Sequence, residues 1–126
     1  MSDKHIIKLT DDSAVIKAYS SNGAGAVVDI SIATDLKLPS ETFSLANAEI
    51  HIDEIYWTNK QNKEITLSRF GTDLVQHGHY YLSQNGHFSF VGFRDSTYKD
   101  NDFRISFSGE GTIILVLSKV SGYTLS

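Results

Sequence analysis

Short runs of β-branched and aromatic residues alternate with polar residues along nearly the whole chain, and turn-forming residues separate them. This period of two constrains the fold more than any other feature. No stretch sustains the i, i+3, i+4, i+7 apolar spacing of an amphipathic helix, and nine glycines work against one. Residues 13–19 set Ala14, Ile16 and Ala18 opposite Val15 and Lys17. Residues 26–32 set Val28, Ile30 and Ile32 opposite Asp29 and Ser31. Between them, Ser20-Ser21-Asn22-Gly23-Ala24-Gly25 is a turn by composition.

The strongest strand signal, residues 48–57, changes phase within itself. Ile50 and Ile52 fall on even positions and Ile55 and Trp57 on odd ones, so the spacing predicts a bulge near Asp53-Glu54. After a turn at residues 58–62, the run 63–70 points Ile65 and Leu67 inward. Tyr80-Tyr81-Leu82 and residues 87–91 flank Ser83-Gln84-Asn85-Gly86, which reads as a hairpin because Asn-Gly suits a type I′ turn. Residues 103–107 alternate cleanly, and 112–118 are apolar on both sides, as a central strand requires.

Residues 34–48 resist a strand assignment. They hold the sole proline, Pro39, and Ser40 is placed to cap one short helical turn. The segment reads as a long crossover between sheets. Sequential hairpins plus this crossover predict an all-β, two-sheet antiparallel sandwich of jelly-roll or Greek-key type, with seven or eight strands. At 126 residues the whole chain, 1–126, is expected to be one domain, with 1–12 as an extended N-terminal arm.

Composition excludes several functions. There are no cysteines, so disulfides and thiolate metal sites are unavailable. The formal net charge is -4 and the basic residues are scattered, whereas nucleic-acid binding needs concentrated positive charge. No apolar run approaches the roughly 20 residues of a membrane span, and the first residues lack the pattern of a secretory signal. The expectation is a protein that contacts neither nucleic acid nor membrane.

The residue types that carry chemistry are present without the spacing that chemistry needs. His77, His79 and His87 suggest a zinc site. In the expected hairpin, however, His79 and His87 stand about 16 Å apart along the strand direction. Asp11-Asp12, Asp53-Glu54 and Asp100/Asp102 fall at expected turns or at the bulge, where solvated acids are normal. Asp100-Asn101-Asp102 lacks the glycine and distal glutamate of an EF-hand loop. There is no Gly-x-Ser-x-Gly elbow, and Gly23-Ala24-Gly25 lacks the helix that a phosphate-binding loop requires. No catalytic residue, metal ligand or cofactor is expected.

Aromatics are more informative. Tyr56, Trp57, Phe70, Tyr80, Tyr81, Phe88, Phe90, Phe93 and Tyr98 crowd the central half, and alternation cannot bury them all. Adjacent Tyr80 and Tyr81 must face opposite sides. Exposed aromatics concentrate binding energy, toward protein or toward sugar.

Five segments together resemble small β-rich virion structural proteins of tailed bacteriophages, in particular those of marine cyanobacteria. They are Ile6-Ile7-Lys8-Leu9-Thr10-Asp11, Val27-Val28-Asp29-Ile30-Ser31, Ala48-Glu49-Ile50-His51-Ile52-Asp53-Glu54-Ile55-Tyr56-Trp57, Leu82-Ser83-Gln84-Asn85-Gly86-His87-Phe88-Ser89-Phe90 and Thr112-Ile113-Ile114-Leu115-Val116-Leu117. The chain departs from such proteins at Arg94-Asp95-Ser96-Thr97-Tyr98-Lys99, where they carry a Gly- and Asn-rich loop.

The resemblance implies a non-catalytic subunit of a virion, made in the host cytoplasm, that decorates or cements the capsid. Its implied partners are the major capsid protein, other virion proteins and further copies of itself. The alternative it leaves open is a binding module of the tail, fibre or neck, carbohydrate-binding through the tyrosines. On either reading the expected contact residues are Ile6, Ile7, Leu9, Tyr56, Tyr80, Phe93, Tyr98 and Tyr123, with both chain ends as docking arms or, equally, as frayed termini or edge strands.

Overall fold

Alternation becomes burial strand by strand in the computed structural model, which describes residues 2–71, 76–90 and 98–125. In β2 (Ser13–Ser20), Ala14, Ile16, Ala18 and Ser20 are buried and the residues between them are half-exposed. Preceding it, β1 (Ser2–Leu9) pairs antiparallel with β2 through a three-residue link. β3 (Ala26–Ile30) buries Val28 and Ile30, and Ile32 just beyond it is buried too. The remaining elements are β4 (Glu41–Phe43), a single 3₁₀ turn (Leu45–Asn47), β5 (Glu49–Asn59), β6 (Glu64–Phe70), β7 (Gln76–Ser83), β8 (Gly86–Ser89), β9 (Asp102–Phe107), β10 (Gly111–Ser121) and β11 (Tyr123–Leu125).

These strands form a five-stranded sheet in the order β1-β2-β10-β5-β8 and a four-stranded sheet in the order β3-β9-β6-β7. The core lies between them. Ile16, Ile113, Leu115, Leu117, Ile50 and Ile55 from the first sheet meet Ile30, Ile65, Leu67, Phe103 and Ile105 from the second, and all are essentially inaccessible. Each such side chain contributes about 1.5–3 kcal/mol relative to exposure. β10 is central, flanked by β2 and β5, as its two-sided apolar pattern requires.

The bulge in β5 falls where the phase change places it. Val116 pairs with Glu54 and Leu117 with Ile52, which leaves Asp53 as the inserted residue. The insertion lets Ile50 and Ile55 share the inner face. Asp53 is held on both sides: its carbonyl accepts from Phe90 N at 2.9 Å, and its Oδ2 accepts from the Ser118 hydroxyl.

The all-β antiparallel sandwich is therefore present, but with three sheets rather than two, since β11 and β4 pair as a separate two-stranded sheet. The described residues form eleven strands rather than seven or eight. The difference is the edge strand β1 and the short pair β4 and β11. Residues 34–48 are not a plain crossover, because they contain β4, and their helical turn lies at Leu45–Asn47, after Ser44, whose side chain makes no capping bond, instead of at Ser40.

A larger correction concerns Ser83-Gln84-Asn85-Gly86, which is no hairpin turn. β7 pairs with β6 in one sheet and β8 with β5 in the other, so the chain crosses between sheets at Gln84-Asn85. The left-handed residue is Gln84, with φ of 58°. Gly86 is needed for another reason: a Cβ there would stand 2.5 Å from the Trp57 ring. Among the described residues, only β1–β2 and β6–β7 pair as sequence neighbours, and most later strands change sheet at each step, the mark of a jelly roll.

The inner face of β10 continues past Leu117 to Lys119, whose side chain is fully buried. Glu41 of β4 meets it at 2.8 Å, and the Thr10 carbonyl accepts a second hydrogen bond at 2.8 Å. Lys119 also lies 4.4 Å from the centre of the Tyr123 ring. Burial first, then the charges of Glu41 and Asp102, push the Tyr123 phenol well above its ordinary value. It therefore stays protonated and donates to the Ile32 carbonyl. Gly122, with φ of 101°, makes the corner between β10 and β11.

Arg69 is the second buried cation. It donates to the carbonyls of Ile50, Lys99 and Asn101 at 2.7–3.2 Å and stacks 4.1 Å above the Phe103 ring. These bonds fasten the 98–101 turn to both sheets.

Candidate functional site

The expected contact residues separate into exposed and internal ones. Ile6 and Ile7 stand exposed on β1, with Ile7 at 57%. The register slips between Ile6 and Lys8, so Ile7 is the extra residue of an edge bulge. Leu9 turns inward and packs on the core. Tyr80 does the same, meeting Phe90 edge-on with ring centres 5.7 Å apart. Tyr123 is packed in as described above, and Tyr98 is half-buried at the start of the 98–101 turn. Phe93 lies outside the described residues.

Both chain ends are thus strands of the fold: β1 rims the five-stranded sheet and β11 pairs with β4. Adjacent Tyr80 and Tyr81 do face opposite sides, since Tyr81 is 72% exposed on the outer surface of the four-stranded sheet.

Tyr56 lies on the outer face of the five-stranded sheet, in the row His5, Lys17, Ile114, Tyr56, His87 set by the register of five strands. Its ring stacks on His87 at 4.2 Å, and its hydroxyl donates to Glu54 at 3.2 Å. Desolvation, then the Glu54 charge, hold the phenol above its ordinary value, so it remains a neutral, fixed aromatic plate.

The histidines are dispersed. His87 lies on β8 against Tyr56, and His79 stacks on Tyr81 on the opposite sheet. The hairpin geometry that was expected to separate them does not exist; membership of different sheets does so instead. The side chain of His77 lies outside the described residues. Among the described residues, no group of three or more His, Cys, Asp or Glu side chains is placed to hold a metal.

The paired acids hold the backbone and its loops. Asp12 accepts from the Thr10 hydroxyl, Asp53 from Ser118, and Asp102 from the Ile32 N–H at 2.8 Å.

At the end of the sandwich where the chain crosses from β7 to β8, a groove of about 900 Å³ opens among Asn59, Gln61, Asn62, Lys63, Gln84, Asn85 and neighbours. Asn59 builds its floor. Its amide donates to the Leu82 and Gln84 carbonyls, and its N–H donates to Asn85 Oδ1. Trp57 Nε1 donates to the Ser83 carbonyl at 3.0 Å. Two non-glycine residues with left-handed backbone, Asn62 (φ 64°) and Gln84 (φ 58°), line the groove.

A second, almost wholly apolar depression of about 300 Å³ lies beside it, sharing Asn85 and lined by Tyr56, Trp57, Gly86, Thr112 and Ile114. Sequence reasoning singled out Tyr56 and Trp57 but missed the amides, because Asn and Gln in turns read only as turn formers. Their density over residues 59–62 and 84–85 was the available signal. No protein-family model matches the chain, and no curated protein does either.

Proposed function

We propose that this protein is a non-catalytic structural subunit of a tailed-phage virion that decorates or cements the capsid by protein–protein contact. The observation that carries this reading is β1. It is an eight-residue strand at the rim of the five-stranded sheet, and it exposes two aliphatic side chains, Ile6 and Ile7. Among the described residues its only partner strand is β2. Its outer backbone groups are thus available to a strand of the major capsid protein, another virion protein or a second copy. The sequence resemblance supports the same role.

Truncating residues 1–10 is a poor test of this, because it removes the Thr10 carbonyl that receives buried Lys119. Replacing Ile6→Asp and Ile7→Asp together leaves that bond intact. The double variant is expected to fold with an unchanged far-ultraviolet spectrum and to enter particles at less than a tenth of the normal amount. Normal incorporation contradicts the assignment of β1 as the contact. Placement on the tail, fibre or neck is the alternative that the amide-rich groove favours.

A further inference from the structure

We propose that the groove at the β7–β8 crossing, together with the Tyr56–Trp57 depression beside it, binds a neutral oligosaccharide. The proposal holds whether the subunit sits on the shell or on the tail, so it does not rest on the assignment above.

Five amide side chains converge on the groove: Asn59, Gln61, Asn62, Gln84 and Asn85. An amide offers an acceptor oxygen and a donor nitrogen side by side, which matches neighbouring sugar hydroxyls that each donate and accept. The amide nitrogen of Asn59 is spent on the backbone of the crossing, and that fixes the floor. Gln61, Asn62, Gln84 and Asn85 are exposed, as are Ser83 and Ser108 on the walls.

Charge argues against an anionic ligand. Of the charged residues lining the groove, Lys60 is paired with Glu110 at 3.0 Å, and Lys63 and Glu64 offset each other. An uncharged, hydroxyl-rich ligand loses no ionic hydration on entering such a site.

The adjoining depression supplies the other half of sugar chemistry, an apolar surface for the C–H face of a pyranose. Tyr56 is already oriented there by His87 behind its ring and Glu54 on its hydroxyl. Trp57, one position on, packs against the core, with Ser83 and the close approach of Gly86 holding it at the border of the depression. A pre-set aromatic plate beside convergent polar groups lowers the ordering cost of binding. The two hollows, about 900 and 300 Å³, fall within or near the span of small-ligand clefts.

The chain has a single tryptophan, so its fluorescence reports on this site alone. The full-length protein is titrated with maltohexaose, cellohexaose, chitohexaose and a mannohexaose, and with heparin as an anionic control. A saturable Trp57 signal is expected with at least one neutral hexasaccharide and not with heparin. Gln61→Ala with Gln84→Ala, and separately Tyr56→Ala, are expected to weaken that binding at least tenfold while leaving the thermal midpoint within a few degrees.

Three results overturn the proposal. One is the absence of saturable binding to any neutral hexasaccharide at millimolar concentration. Another is binding that both variants retain in full. The third is preference for heparin or for a purified virion protein at the same residues.

Discussion

Lys119 and Glu41 form an ion pair sealed in the core, their side chains 0% and 1% exposed. Burial alone would raise the Glu41 carboxyl. The Lys119 hydrogen bond, the Leu38 N–H and the charges of Lys119 and Lys37 outweigh it and hold the group below its ordinary 4.5. A carboxyl lowered on folding stabilises the native state above its unfolded pKa, and that contribution is lost as pH falls through the folded value. Stability is therefore expected to fall on acidification below pH 4.5, and Glu41→Gln is expected to flatten that fall. Urea midpoints across pH measure both. Lys119→Met alone strands a buried carboxylate and should cost about 3–5 kcal/mol, whereas Lys119→Met with Glu41→Leu should recover most of the loss. A double variant no better than the single one would show that the pair does not act as a unit. None of this was legible in the sequence, because a lysine after an apolar run reads as the exit from the core and its partner lies 78 residues away.

At the level of elements, the bulge in β5 is the feature most completely written in the sequence. Ile50 and Ile52 fall out of phase with Ile55 and Trp57, and one inserted residue, Asp53, restores a shared face. Deleting Asp53 forces one of these pairs outward and is expected to cost at least about 3 kcal/mol, read from urea unfolding. An unchanged midpoint would mean that β5 tolerates either register. Strand positions are legible for the same reason: alternation in β2, β6 and β9 is local. Sheet membership is not. Asn85-Gly86 announces a turn but is silent on which sheet the next strand joins, and the glycine is explained by Trp57, 29 positions upstream (86 − 57). Arg69 was missed likewise, since its carbonyl partners come from β5 and the 98–101 turn.

The whole molecule is a sandwich cross-braced at several points. Lys4 reaches from β1 to the Asp29 carbonyl and the Asp35 carboxylate, both at 2.7 Å, and closes one side. At other points Lys119–Glu41 and Arg69 tie in β4 and the 98–101 turn, and Asn59 and Trp57 staple the β7–β8 crossing. Such bracing suits a part that works by shape and contact, and it leaves the β1 rim and the outer sheet faces as places where other molecules can meet it. The direct measurement is the copy number and position of this chain in purified particles, from quantitative mass spectrometry joined to an electron-microscopy reconstruction. On the order of hundreds of copies are expected on the shell, with β1 against a neighbouring subunit; absence of the chain from purified particles would contradict the assignment of a virion subunit.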